Sequence, residues 1–229
     1  MSLPQPLYAY ALCRLPQQPL ALPTGIAGPL TLIDNGTLAA IVEPDTFWAT
    51  IAAQDALLME AVLIHDRILC QIFESFPLLP LRFGTRFESV TGLQAHLATY
   101  GDRYWQQLAV LADKAEYALK FSPQAIALPE IAAELKGRAY FLAKKQRLQT
   151  QADAQQQQQQ ELNQMLATLQ QLAEKLHQEA PREGVERIFL LLKRSQQDAL
   201  QQQVITWQQQ TLHWEISLSQ ALPPYHFLE

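Results

Sequence analysis

Apolar residues come in short unbroken runs near the N-terminus and in helical steps further along. Leu7-Tyr8-Ala9-Tyr10-Ala11-Leu12-Cys13 contains no breaker and predicts a buried strand. Pro16, Pro19 and Pro23 then hold a loop open. Residues 30–33 and 37–42 flank Asp34-Asn35-Gly36, and Asn-Gly suits the positive φ angles of a tight hairpin turn. Asp45 is a natural N-cap for a helix in which Phe47, Ile51, Leu58, Val62, Leu69 and Phe73 recur at helical spacing. Pro77 and Pro80 forbid helix and bracket an extended segment at residues 78–83, and Gly84 permits a turn. A second helix is predicted over about residues 90–113 and a strand over 117–121. The order β-β-β-α-β-α-β is that of an α+β layer, with helices packed on one face of a mainly antiparallel sheet, and a ferredoxin-like unit fits it.

The pattern changes from about residue 131. Residues 138–179 hold no Gly or Pro and are rich in Gln, Ala, Leu, Glu and Lys, all good helix formers. One helix of that length spans about 60 Å. Leu162, Leu166, Leu169, Ala173 and Leu176 follow 4-3-4-3 spacing, a coiled-coil-like seam of about two heptads. Gln155 to Gln160 is a glutamine run, read as an exposed helix or helical-hairpin tip because helix formers flank it. Beyond Pro181, residues 185–193 predict a buried strand, 196–204 a helix, and 212–218, alternating apolar and polar, a half-buried strand. The expected organisation is therefore an N-terminal α+β domain, 1–113, and a C-terminal α+β domain, 114–229. The second carries a long helical insertion at 130–180 and an extended tail ending Pro223-Pro224-Tyr225-His226-Phe227.

Composition narrows the function. With 48% hydrophobic and 17% charged residues among 229, the chain has material for a true core. A net charge of −5 argues against general binding to phosphate backbones. Cys13 and Cys70 lie far apart in apolar segments, which reads as two reduced thiols in a reducing compartment. No apolar run approaches about 18 residues, and the opening residues lack a charged, then apolar, leader. A cytosolic protein without a membrane span is expected.

Candidate chemistry is sparse. GxGxxG, GxxxxGK[ST], HExxH and GxSxG are all missing, the eight glycines do not cluster, and no cofactor is implied. His65, His96, His177, His213 and His226 form no helical metal pair, and no zinc spacing occurs. His65 with Asp66 and Arg67 reads either as an acid/base pair or, more simply, as a polar cluster on a helix surface. Cys70 reads as core packing. Lys136, Arg138, Lys144, Lys145 and Arg147 are five bases with no acid between Glu134 and Asp153. They form either a solvated helix face or a surface for an acidic partner, lipid headgroup or nucleic acid. The helix dipole would favour acids there, so the run is unexpected at a helix start. Arg82, in Leu81-Arg82-Phe83-Gly84-Thr85-Arg86, sits among apolar neighbours at a strand end. A charge there is either ion-paired, with Asp66 or Glu60 as partners, or held for another protein.

Residues 78–85, with Arg82, Phe83, Gly84 and Thr85 at their centre, resemble the signature of the gas vesicle protein F/L family. Leu7-Tyr8-Ala9-Tyr10 resembles the family's opening strand. Gly137-Arg138-Ala139-Tyr140-Phe141-Leu142 with Lys144-Lys145 resembles its basic helix start, and the tail around Tyr225 its closing segment. Lys114, Glu116 and Lys120 match a further family pattern. Arg86, Ser219-Gln220-Ala221 and the glutamine run depart from it. The resemblance implies two ferredoxin-related domains in a non-catalytic accessory protein of gas vesicle assembly. It implies partners in the small hydrophobic shell protein and other accessory proteins, with neither nucleic acid nor membrane, and a place at the gas-facing side of the nascent shell. A ligand-sensing or regulatory α+β protein is the alternative. A sheet edge or helix groove that holds an aggregation-prone shell subunit would suit the first reading.

Overall fold

The computed structural model describes residues 5–228, so the reading of the opening residues as free of a leader falls mostly outside it. The described chain forms two compact units, one of residues up to Glu116 together with 221–228, the other Tyr117–Gln220. Residues 221–228, expected in the C-terminal domain, fall in the first unit. Glu116 and Leu222 exchange two backbone hydrogen bonds of 3.0 and 2.8 Å, which fix the tail there.

In the first unit, β1 (Leu7–Arg14) is central. β2 (Thr31–Asp34) and β3 (Leu38–Pro44) form the predicted hairpin, with Gly36 at φ +94° in its turn. The sheet order is β2-β3-β1-β4, β4 being only Leu79–Pro80, while β5 (Arg86–Phe87) also pairs with β1. β1 pairs antiparallel with β3, β4 and β5, and β2 antiparallel with β3. The single helix expected from Asp45 is broken into α1 (Trp48–Ile51) and α2 (Asp55–Ser75). Gln54 takes extended backbone, φ −140° and ψ 113°, and starts α2 afresh. Asp45 still accepts from the Trp48 N–H at 3.2 Å. α3 (Val90–Leu111) follows, with Ser89 as its N-cap, accepting from the Gly92 N–H at 3.1 Å. Ile68, Leu69, Ile72, Leu93 and Leu97 close the core against β1 and β3.

In the second unit the sheet order is β7-β8-β6-β9, from β6 (Lys114–Pro123), β7 (Lys175–Gln178), β8 (Glu186–Lys193) and β9 (Trp214–Leu218). α4 (Gly137–Leu172) and α5 (Gln197–Gln210) complete it. The long helix is thus shorter than the 130–180 insertion expected. Ala173 turns extended at ψ 140°, and Leu176 leaves the helical seam to pair with Leu190 in β7–β8. Leu162, Met165 and Leu169 are the buried residues of α4. They lie in one unit with Leu200, Val204 and Trp207 of α5, also buried. The glutamine run lies within α4, not at a hairpin tip. Its Gln158 donates to the His213 carbonyl at 3.1 Å and accepts from the Trp214 indole at 2.9 Å.

Candidate functional site

The signature segment after β4 closes a polar and aromatic cluster in the first unit. Tyr8 and Tyr10 of β1 are fully buried, and His65 of α2 is only 4% exposed. That overturns the helix-surface reading of His65. The apolar spacing of α2 does not show which polar residue turns inward, whereas the two tyrosines opposite it give His65 partners. The His65 ring stacks on Tyr10 with centroids 5.0 Å apart. Its Nε2 lies 3.2 Å from the Leu81 carbonyl, which can only accept, so Nε2 carries the proton and Nδ1 accepts from the Tyr8 hydroxyl at 2.9 Å. The Tyr8 hydroxyl in turn accepts from the Gly84 N–H at 3.3 Å. Burial lowers the His65 pKa and raises that of Tyr8, keeping both neutral.

A second buried centre adjoins it. Glu43, fully buried at the end of β3, accepts from the Tyr10 hydroxyl and from the backbone N–H groups of Ile26, Ala27 and Gly28 at 3.0–3.1 Å. A carboxylate with four donors is tolerated in a core that would otherwise exclude it. It pins the proline-rich loop. Burial, then the bond to Glu43, pushes the Tyr10 hydroxyl far up. These groups saturate one another and function as internal braces.

Each predicted site residue has a place. Phe83 packs on Tyr8, Trp48 and His65 at centroid distances of 5.6–6.1 Å. Gly84, at φ +86°, lies so close to Trp48 that a Cβ would sit 2.9 Å from its ring. Thr85 donates to the Arg82 carbonyl through Oγ1 at 2.7 Å, closing the turn. Arg82 itself is exposed, and the ion pair expected of it falls to Arg86, whose Nε meets Asp45 at 2.5 Å. Asp66, offered as an Arg82 partner, instead accepts from the Tyr225 hydroxyl at 2.6 Å. The next tail residue, His226, is held by Glu116. Arg138, Lys144 and Lys145 are exposed on α4, far from these clusters in sequence and in the other unit.

A further cluster, missed in the sequence, sits in the second unit. Glu161 of α4 accepts from Thr211 Oγ1 and meets His213 Nδ1 at 2.8 Å. These bonds make a brace between α4 and the segment entering β9. An open recess of about 270 Å³ beside it is lined by Glu161, Met165, Trp207 and Thr211 among others. Among the described residues no group of three or more His, Cys, Asp or Glu side chains is placed to hold a metal ion, and no helix is long and apolar enough to cross a membrane.

The structure thus defines a two-unit α+β protein with two antiparallel sheets, one long exposed helix, and polar clusters used as braces. The family model described as gas vesicle synthesis protein GvpL/GvpF matches residues 6–229, and the chain belongs to that family. Its fold is similar to the crystal structure of gas vesicle protein GvpF from Microcystis aeruginosa, with a TM-score of 0.73 at 16% identity, over 98% of this chain and 99% of that one. It is similar also to gas vesicle protein GvpF from Anabaena sp. PCC7120, with a TM-score of 0.72 at 15% identity, over 98% of each chain. No curated protein sequence matches it. Family membership supports a role in gas vesicle assembly.

Proposed function

We propose that the chain is a non-catalytic accessory component that binds the small hydrophobic shell protein, alongside other accessory proteins, during early vesicle formation. Its place is the cytoplasm and then the gas-facing side of the nascent shell. The observation that carries this reading is the family match across residues 6–229. The local chemistry is compatible with it. The His65, Glu43 and Glu161 clusters spend their donors and acceptors on internal bonds. Large apolar side chains meanwhile stand exposed on α2 (Met59, Leu63) and α4 (Phe141, Leu148). Arg82, Arg138, Lys144 and Lys145 are the charged positions assigned to partner contact, while Phe83, Gly84, Thr85 and Tyr225 build the framework. The test is co-purification of tagged full chain with the shell protein, joined to deletion in a vesicle-forming host. Capture of the shell protein and loss of vesicles by electron microscopy are expected. Normal vesicles in the deletion strain, or no capture, would overturn the reading.

A further inference from the structure

The seam buried at the C-terminal end of α4 does not stop where burial stops. Leu162 and Leu169 are buried, and stepping back by sevens from them through Gln155 reaches Leu148 and Phe141. Stepping back from the buried Met165 through Gln158 and Gln151 reaches Lys144. One heptad register therefore runs from 141 to 169. Its C-terminal half is buried within the second unit. Its N-terminal half faces solvent, with Phe141 70% and Leu148 57% exposed. The glutamine run is the junction between the halves.

We propose that this exposed half, residues 138–152, docks an acidic amphipathic helix of another protein. The proposal rests on the accessory-protein reading above and names the surface and the chemistry of its partner. Continuity with an internal helix-packing seam argues for a helical occupant, since the same spacing already seats side chains against neighbouring elements further along. Charge argues for an acidic one. Arg138, Lys144, Lys145 and Arg147 stand on or beside the seam, with no acid from residue 135 to 152. A second copy laid face to face would set bases against bases, a juxtaposition that opposes association. An anionic membrane suits the pattern less well. Interfacial helices segregate apolar and basic faces, whereas Lys144 lies within the apolar seam between Phe141 and Leu148. A lysine at that position calls for a carboxylate across the seam and so selects its partner.

The experiment uses the folded full chain, wild type, Phe141→Ser/Leu148→Ser and Lys144→Glu/Lys145→Glu, each shown by its melting curve to fold as wild type does. Each is assayed for capture of the shell protein and titrated with a designed heptad peptide carrying leucines at its seam and glutamates beside it. A version with glutamine for glutamate and vesicles of phosphatidylglycerol complete the set. Expected are binding of the acidic peptide by wild type and about tenfold weakening by either variant, by the glutamine peptide or by high salt. Shell protein captured equally by wild type and both variants overturns this surface but leaves the accessory reading standing. Failure of wild type to capture shell protein sinks that reading, and the peptide titration then decides the surface alone. No peptide binding, binding indifferent to charge, or preference for the vesicles each overturns the proposal.

Discussion

The fully buried carboxylate of Glu116 holds His226 twice, accepting from its backbone N–H at 2.9 Å and from its Nδ1–H at 2.8 Å. One residue away, Tyr225 donates to Asp66 of α2 at 2.6 Å. The closing motif is thus a clasp on the first unit. Glu116→Ala removes two charge-assisted bonds and should destabilise the first unit by about 3 kcal/mol. A urea titration measures it, and trimming by carboxypeptidase should accelerate in the variant.

Three glycines separate conformational from steric cost. Gly84 has positive φ and a crowded Cβ site, Gly36 has positive φ in open space, and Gly28 has open space without positive φ. Alanine at Gly84 should cost about 2 kcal/mol or more, at Gly36 about 1, and at Gly28 close to nothing. Thermal unfolding of the three variants gives the order, and equal losses would discard the steric role of Trp48.

His65 supplies a pH dependence. Burial lowers its pKa from the ordinary 6.5. The unfolded chain therefore takes up this proton first as pH falls, so the stability His65 contributes is complete above about 6.5 and declines below it. His65→Gln should be less stable at neutral pH, yet lose less on acidification from pH 7 to 5. The difference between the two stability–pH curves is the readout, and parallel curves would rule the assignment out.

Burial pushes the Cys13 thiol up to about 12 and, with help from the Asp66 charge, the Cys70 thiol up to about 11. Neither offers appreciable thiolate at neutral pH. Iodoacetamide should leave both unmodified in the native protein and label both in guanidinium, as counted by mass spectrometry.

The two halves of the α4 seam should respond unequally to truncation. Leu169→Ala, at a buried position, should cost about 2–5 kcal/mol. Leu148→Ala, at an exposed one, should stay within about 0.5 kcal/mol. Chemical denaturation of both variants tests the contrast.

Local pattern alone determined much of this protein. The unbroken run from Leu7 predicts β1, Asn35-Gly36 the hairpin, and the absence of Gly and Pro the long helix, because each depends on neighbours within a few residues. Long-range contact decided the rest. Whether Ala173 continues a helix or turns into β7 depends on Leu190 across the sheet. Whether His65 faces water or core depends on Tyr8, 57 positions earlier. Arg86 rather than Arg82 takes the ion pair because Asp45, 41 positions earlier, lies against it. Glu116 and the tail meet across 110 residues. Spacing along a chain reports which side chains share a face. Only the closed fold reports what that face meets.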